Sequence, residues 1–130
     1  MILVDTHVVV WLAFDPHEIS RKAKQAIEGA RENGGGLAIS DITLLELATL
    51  VSQGRIRLDI SVESFLQEVG SRFVVLPMNS RVCARAITLP GTYPKDPADR
   101  IIGATALVEG LPLLTADREI RRAGVFQTIW

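Results

Sequence analysis

Five carboxylates stand out by the places they occupy: Asp5, Glu46, Asp96, Asp99 and Asp117. Asp5 ends the apolar run Ile2-Leu3-Val4, although Asp is depleted in strands. Glu46 lies in the apolar stretch DITLLELATLVSQ, sharing a narrow polar strip with Thr49 and Gln53. Asp96 and Asp99 fall within KDPADR, and Asp117 follows LPLLTA. Two carboxylates ~5 Å apart repel by about 3 kcal/mol at an effective dielectric of ~20. Several of them in one pocket therefore need protons or a cation, and no basic residue is placed to pair with them all. The candidate ligands are all oxygens, with neither a Cys-X-X-Cys nor a His pair, so the implied ion is hard: Mg²⁺ or Mn²⁺ rather than Zn²⁺. Carboxylates holding hydrated Mg²⁺ commonly serve phosphoryl chemistry, which points to metal-assisted hydrolysis of a phosphoester.

Each acid also has a purely structural use. Asp96 suits a helix N-cap before Pro97, and Asp99 in the first turn favours the helix dipole. Asp117 could cap a last helix, and the strip holding Glu46 could face water. Asp5 is the hardest to dismiss in this way. His7 reads as a packed or hydrogen-bonded imidazole rather than a ligand. Cys83, beside Val82 and Ala86, reads as core, and Trp11 and Trp130 as packing or interface residues.

The elements that must position these acids alternate in type. Ile2–Val4 reads as a buried strand. Residues 20–33 form an amphipathic helix with Ala23, Ala26, Ile27 and Ala30 on one face, Ser20 as N-cap and Asn33 to Gly36 as the stop. Residues 37–39 give a second strand, and Ser40 caps a helix that Gly54 ends. A helix over 61–69, a strand over 73–76 and a helix over 79–89 follow. The helix opened by Asp96-Pro97 runs to Glu109, with Gly110 closing it. A strand over 111–115, a short helix over 118–123 and an edge strand within 125–129 complete the chain. Short strands alternating with helices predict one α/β domain over residues 1–130, a parallel sheet covered on both faces. Open parallel sheets bind ligands outside the carboxyl ends of their strands, and this alternation sends every candidate acid to that edge.

Length and composition agree with one globular domain. The 130 residues are 48% hydrophobic and 22% charged, which excludes disordered, collagen-like and coiled-coil classes. The net charge of −1 gives no support to non-specific nucleic-acid binding of the basic-arm kind. The apolar opening MILVDTHVVVWLAF carries Asp5, lacks a basic leader and is far short of the ~20 apolar residues of a membrane span. With one cysteine, no internal disulfide is possible. A soluble, cytoplasmic protein with no membrane association is expected.

The opening ILVDTH, the helix with Glu46, the segment KDPADRIIGATA and LPLLTAD occur in this order over essentially the whole chain. Together they resemble the PIN-domain proteins, and among them the VapC-type toxins of type II toxin–antitoxin pairs. DPADR followed by an apolar helix and T-x-D is the specific part; ILVDT alone is weak. The resemblance implies a Rossmann-like three-layer sandwich with a short parallel central sheet flanked by helices. It implies a Mg²⁺- or Mn²⁺-dependent endoribonuclease toxin, an RNA substrate, a cognate antitoxin protein that inserts a segment near the acids, and a homodimer. It places the family's acids on Asp5, Glu46, Asp99 and Asp117, with Asp5 and Asp99 as direct ligands. Glu46 would ligate or orient water, and Asp117 would support the metal through water. Asp96, Thr6 and Thr115 would stand behind them and hold them. Relatives with this pattern often carry a His shortly before the first Asp, where this chain has Tyr93-Pro94-Lys95, a departure that bears on substrate preference. Arg100 and Arg118, in a basic cluster with Lys95, Arg121 and Arg122, are candidate contacts for phosphate or for an acidic antitoxin segment, or else a solvated face.

Other readings fit less well. A haloacid-dehalogenase-like phosphatase would need a second Asp where His7 stands, and a receiver domain would need paired acids at the first strand. The serious rival is a catalytically weak or inactive binding module on the same fold.

Overall fold

The computed structural model describes residues 1–33 and 35–130; Gly34, one of the glycines expected to stop the first long helix, lies outside the described residues. The strands are β1 (Ile2–Val4), β2 (Leu37–Ser40), β3 (Val74–Leu76), β4 (Leu113–Leu114) and β5 (Thr128–Ile129). They form one sheet in the order β3-β2-β1-β4-β5, with every pairing parallel. From β1 the chain winds outward to β2 and β3, then crosses back to β4 and β5. The strand order therefore reverses between β1 and β4.

Period-two alternation sorts the sheet residues to two cores. Ile2, Val4, Leu37, Ile39 and Leu114 face one side, where they meet helices α1 (Thr6–Phe14), α2 (Arg21–Glu32) and α4 (Val62–Arg72). Leu3, Ala38 and Leu113 face the other, against Tyr93 from the loop before helix α6 (Pro97–Glu109), Ile102 and Ala106 on that helix, and Ile120 of α7 (Arg118–Ala123). Helix α3 (Asp41–Ser52) gives Leu47 to the first core and Ile42 to the second. Helix α5 (Ser80–Ala86) lies on α6 through Val82, Ala86 and Ala104. The three-layer α/β sandwich follows from this burial on both faces. Among the described residues, no helix is long and apolar enough to cross a membrane.

One helix was not anticipated, and two local expectations need correction. THVVVWLAF carries no helical periodicity because it is apolar nearly all round, and its valines favour strands; it nonetheless forms α1. Asp5 caps it by accepting from Thr6 N, and burial of Val8 and Val9 against the sheet overrides propensity. Cys83 is exposed rather than core, since Val82 and Ala86 take the face of α5 that meets α6 and Cys83 points about 100° away. The helix expected over 79–89 ends at Ala86, and Leu89 packs beneath Tyr93 from the loop beyond.

Tyr93 is 1% exposed and fills the space left by the missing side chain of Gly103 on α6. A Cβ there would stand 2.7 Å from Tyr93 Cζ, and the enclosed ring has nowhere to go. Gly103→Ala should therefore destabilise the fold by about 1–3 kcal/mol in urea unfolding, despite the ~1 kcal/mol that alanine gains in helix propensity. An unchanged or raised midpoint would show that the ring yields freely.

Candidate active site

The carboxyl ends of β1 and β4 flank the point where the strand order reverses, where such sheets open a crevice. Asp5 leaves β1 there, 3% exposed, and both of its oxygens are held. Thr6 N donates to Oδ1 at 2.9 Å, and Thr115 Oγ1, just past β4, donates to Oδ2 at 2.7 Å. Thr115 is itself fixed by Asp117 N, which donates to its hydroxyl at 3.1 Å. His7 Nε2 accepts from Ala116 N at 3.0 Å, so its proton sits on Nδ1, 3.6 Å from Asp5 Oδ2. The His7 ring stands edge-on to Trp11, with centroids 5.0 Å apart, and Trp11 meets Trp130. His7 is thus a hydrogen-bonded, packed imidazole that braces the loop after β4.

Glu46 reaches the same edge from α3. Thr6 Oγ1 donates to Glu46 Oε1 at 2.5 Å and lies 3.0 Å from Thr43 Oγ1. Thr6 has one hydroxyl proton and gives it to Glu46, so Thr43 is the donor in the second bond. A relay Thr43 to Thr6 to Glu46 results, anchored by the full burial of Thr43. Thr43 escaped the sequence reading, although its spacing of three from Glu46 puts both on one helix face.

Asp96 and Asp117 do cap their helices. Asp96 Oδ1 accepts from Ala98 N and Asp99 N at 2.9 and 3.2 Å, and Asp117 Oδ1 accepts from Glu119 N and Ile120 N at 2.9 and 3.1 Å. Each keeps Oδ2 free of protein donors among the described residues. Asp99 sits in the first turn of α6, its main chain held by Tyr93 Oη donating to the Asp99 carbonyl at 2.9 Å. In the sequence Tyr93 stands out only as a departure from the family pattern, and its context carries no signal for this bond. Arg100 turns away from the acids: its Nη1 donates to the carbonyls of Ala86 and Leu89. Arg118 is exposed directly after Asp117.

The acids act on one another electrically. Burial pushes Asp99 up from 3.8 to about 7, helped by the charges of Asp5, Asp96, Glu46 and Asp117. Burial also raises Glu46, opposed by the Thr6 hydrogen bond and assisted by Asp5 and Asp96. Among the described residues no Lys or Arg lies within 4 Å of any of these carboxylates. An all-oxygen set of uncompensated carboxylates fits a hard divalent cation. Among the described residues, no group of three or more His, Cys, Asp or Glu side chains stands close enough together to hold a metal ion as the side chains lie.

Without metal, the folded protein holds a proton on Asp99 between pH 4 and 7 that the unfolded chain has released. Stability should therefore fall as pH rises through this window. Asp99→Asn should flatten the decline and raise the metal-free Tm at pH 8, and Mn²⁺ should raise the wild-type Tm more at pH 8 than at pH 5.5. Scanning fluorimetry decides it; equal slopes for the two proteins would mean that burial and the neighbouring acids do not raise Asp99.

The chain matches the family model described as PIN domain over residues 2–125. It is 42% identical over 120 residues to Ribonuclease VapC22 of Mycobacterium tuberculosis, an alignment spanning 92% of this chain and 89% of the relative. In fold it is similar to a toxin–antitoxin complex from Klebsiella pneumoniae, with a TM-score of 0.69 and 25% identity over 100% of this chain and 97% of that one. It is also similar to VapBC2 from Rickettsia felis bound to a promoter DNA fragment, with a TM-score of 0.74 and 22% identity over 98% and 97% of the two chains. With the acids it gathers at the reversal of its sheet, the chain belongs to the PIN-domain family and, within it, to the VapC proteins.

Proposed function

We propose that the protein is a Mg²⁺- or Mn²⁺-dependent endoribonuclease and the toxin of a toxin–antitoxin pair, hydrolysing RNA phosphodiesters at the carboxyl edge of its sheet. The observation that carries this reading is the gathering of Asp5, Glu46, Asp99 and Asp117 with no Lys or Arg to neutralise them. The identity with Ribonuclease VapC22 supports it. Asp5 and Asp99 would hold the ion directly, and Glu46 and Asp117 through water.

Bound there, the ion neutralises charge on the phosphodiester and makes a water more acidic. The rest falls to the chain's own residues. Thr6 N and Thr115 Oγ1 together stop the Asp5 carboxylate from rotating. The Thr43–Thr6 relay aims Glu46 and leaves its Oε2 free to take a proton from the attacking water. The raised pKa of Glu46 makes it a better proton acceptor than a surface carboxylate.

Two protein partners follow. A groove of about 630 Å³ lined by Val9, Leu12, Phe14, Phe65, Val69 and Phe73 would seat an apolar stretch of the antitoxin, with Arg31 and Arg57 beside it for acidic residues. A second copy would cover Leu45, Val74, Val75 and Met78, which are 62%, 46%, 36% and 43% exposed around the free edge of β3. Met78 is tied to this patch by its N–H, which donates to Asp41 one turn before Leu45. The setting would be the cytoplasm, where the single thiol, Cys83, stays reduced.

Asp5→Asn should reduce cleavage of a labelled RNA in Mn²⁺ to background. It should also abolish the Mn²⁺-induced rise in Tm while leaving the metal-free Tm unchanged or higher, because one repelling charge is gone. Full activity of this variant would remove the proposal.

A further inference from the structure

Arg118, Arg121 and Arg122 line one hollow of about 340 Å³ on the exposed side of α7. Their spacing of three and four residues puts them on one face, and buried Ile120 pins the helix beneath them. Among the described residues no Asp or Glu lies within 4 Å of any of the three. The chain carries 15 acids against 14 Lys and Arg, so this isolation is not a shortage of partners. Arg100 and Arg72 are occupied elsewhere, by carbonyls and by Glu68.

The position is informative. Helix α7 starts at its cap Asp117, one of the acids that raise Asp99. Arg122 lies five residues further, about 7.5 Å along the axis. Successive phosphates of a strand stand farther apart through space than the ~3.4 Å axial rise per nucleotide of a duplex, so that is one to two phosphates away. We propose that this arginine hollow is a phosphate track, holding the RNA backbone one to two nucleotides beyond the scissile phosphate. The inference rests on the ribonuclease reading above. The hollow is lined by arginines alone, its apolar surface being no more than their own stems, and guanidinium forks match phosphate oxygens.

Arg121→Gln/Arg122→Gln, compared with wild type, tests the track and leaves Arg118 beside Asp117 in place. Binding of a single-stranded RNA is measured across salt concentrations on the metal-free proteins, and cleavage of the same RNA is measured with Mn²⁺. The slope of log K against log[salt] should shrink by about 1.4 and KM should rise roughly tenfold, as expected for two lost phosphate contacts. Arg121→Lys/Arg122→Lys should keep most of the slope, and the Mn²⁺-induced Tm rise, which reports on the acids, should persist in all three proteins. A wild-type slope and KM in the Gln variant overturn the track and leave the ribonuclease reading intact. The same result with lost binding of a poly-glutamate peptide also overturns it, making the surface an anchor for acidic protein. A wild type that takes up Mn²⁺ yet neither binds nor cleaves RNA overturns the ribonuclease reading and the track together.

Discussion

Crowding like charges at one end of a small domain costs stability, and the structure is organised around containing that cost. A pair of carboxylates ~5 Å apart loses about 3 kcal/mol at an effective dielectric of ~20, and this edge gathers several. Part of the repulsion is offset by the backbone. Asp5, Asp96 and Asp117 are each the N-cap of a helix, accepting main-chain N–H bonds from α1, α6 and α7. Each such cap contributes ~1 kcal/mol and faces the positive end of a helix dipole. The structural and chemical uses of these acids therefore do not compete. The cap fixes one oxygen of Asp96 and of Asp117 and leaves the other available. Burial, together with the repulsion that the caps do not relieve, raises the pKa of Asp99 and of Glu46, neither of which is an N-cap.

Topology explains why these four elements meet. β1 is the central strand, and its neighbours β2 and β4 lead into α3 and α7. The residues at the ends of β1 and β4 are therefore adjacent although 110 positions apart, as the Thr115–Asp5 bond records. The threonines do the connecting. Thr6 N holds Asp5 while Thr6 Oγ1 holds Glu46, so one residue couples the β1 end to α3; Thr115 couples the β1 end to α7 through Asp117 N. A hydroxyl suits this task because it can donate to a carboxylate and still accept from a third group.

Much of this was legible in the sequence because it rests on local signals. Strand patterns, helix caps such as Ser20, Ser40 and Asp96, and acids at the ends of apolar runs each announce themselves within a few residues. Helix α1 was not legible, since a stretch buried nearly all round has no amphipathic period and its valines argue for strand. Cys83 was misjudged because seven residues of α5 are too few to tell its face toward α6 from its face toward solvent. The Thr43–Thr6 relay and the Tyr93–Gly103 contact depend on how distant elements cross, which no local pattern encodes.

Tyr93 shows how a residue off the family pattern can still serve the site. Its ring is sealed between α6 and Phe126, and burial together with the surrounding acids raises its hydroxyl well above the ordinary phenol range, so it remains a proton donor. That proton goes to the Asp99 carbonyl, where the main chain of the first turn of α6 is set. Most carbonyls at a helix start bond to N–H groups further along, so the extra donor anchors the turn to the loop before it. Gly103 makes the arrangement possible, since any side chain there would evict the ring. The placement of Asp99 thus depends on a pair ten residues apart, one bulky and one absent of side chain. The Tyr93 position acts inward, on the geometry of the acid pocket.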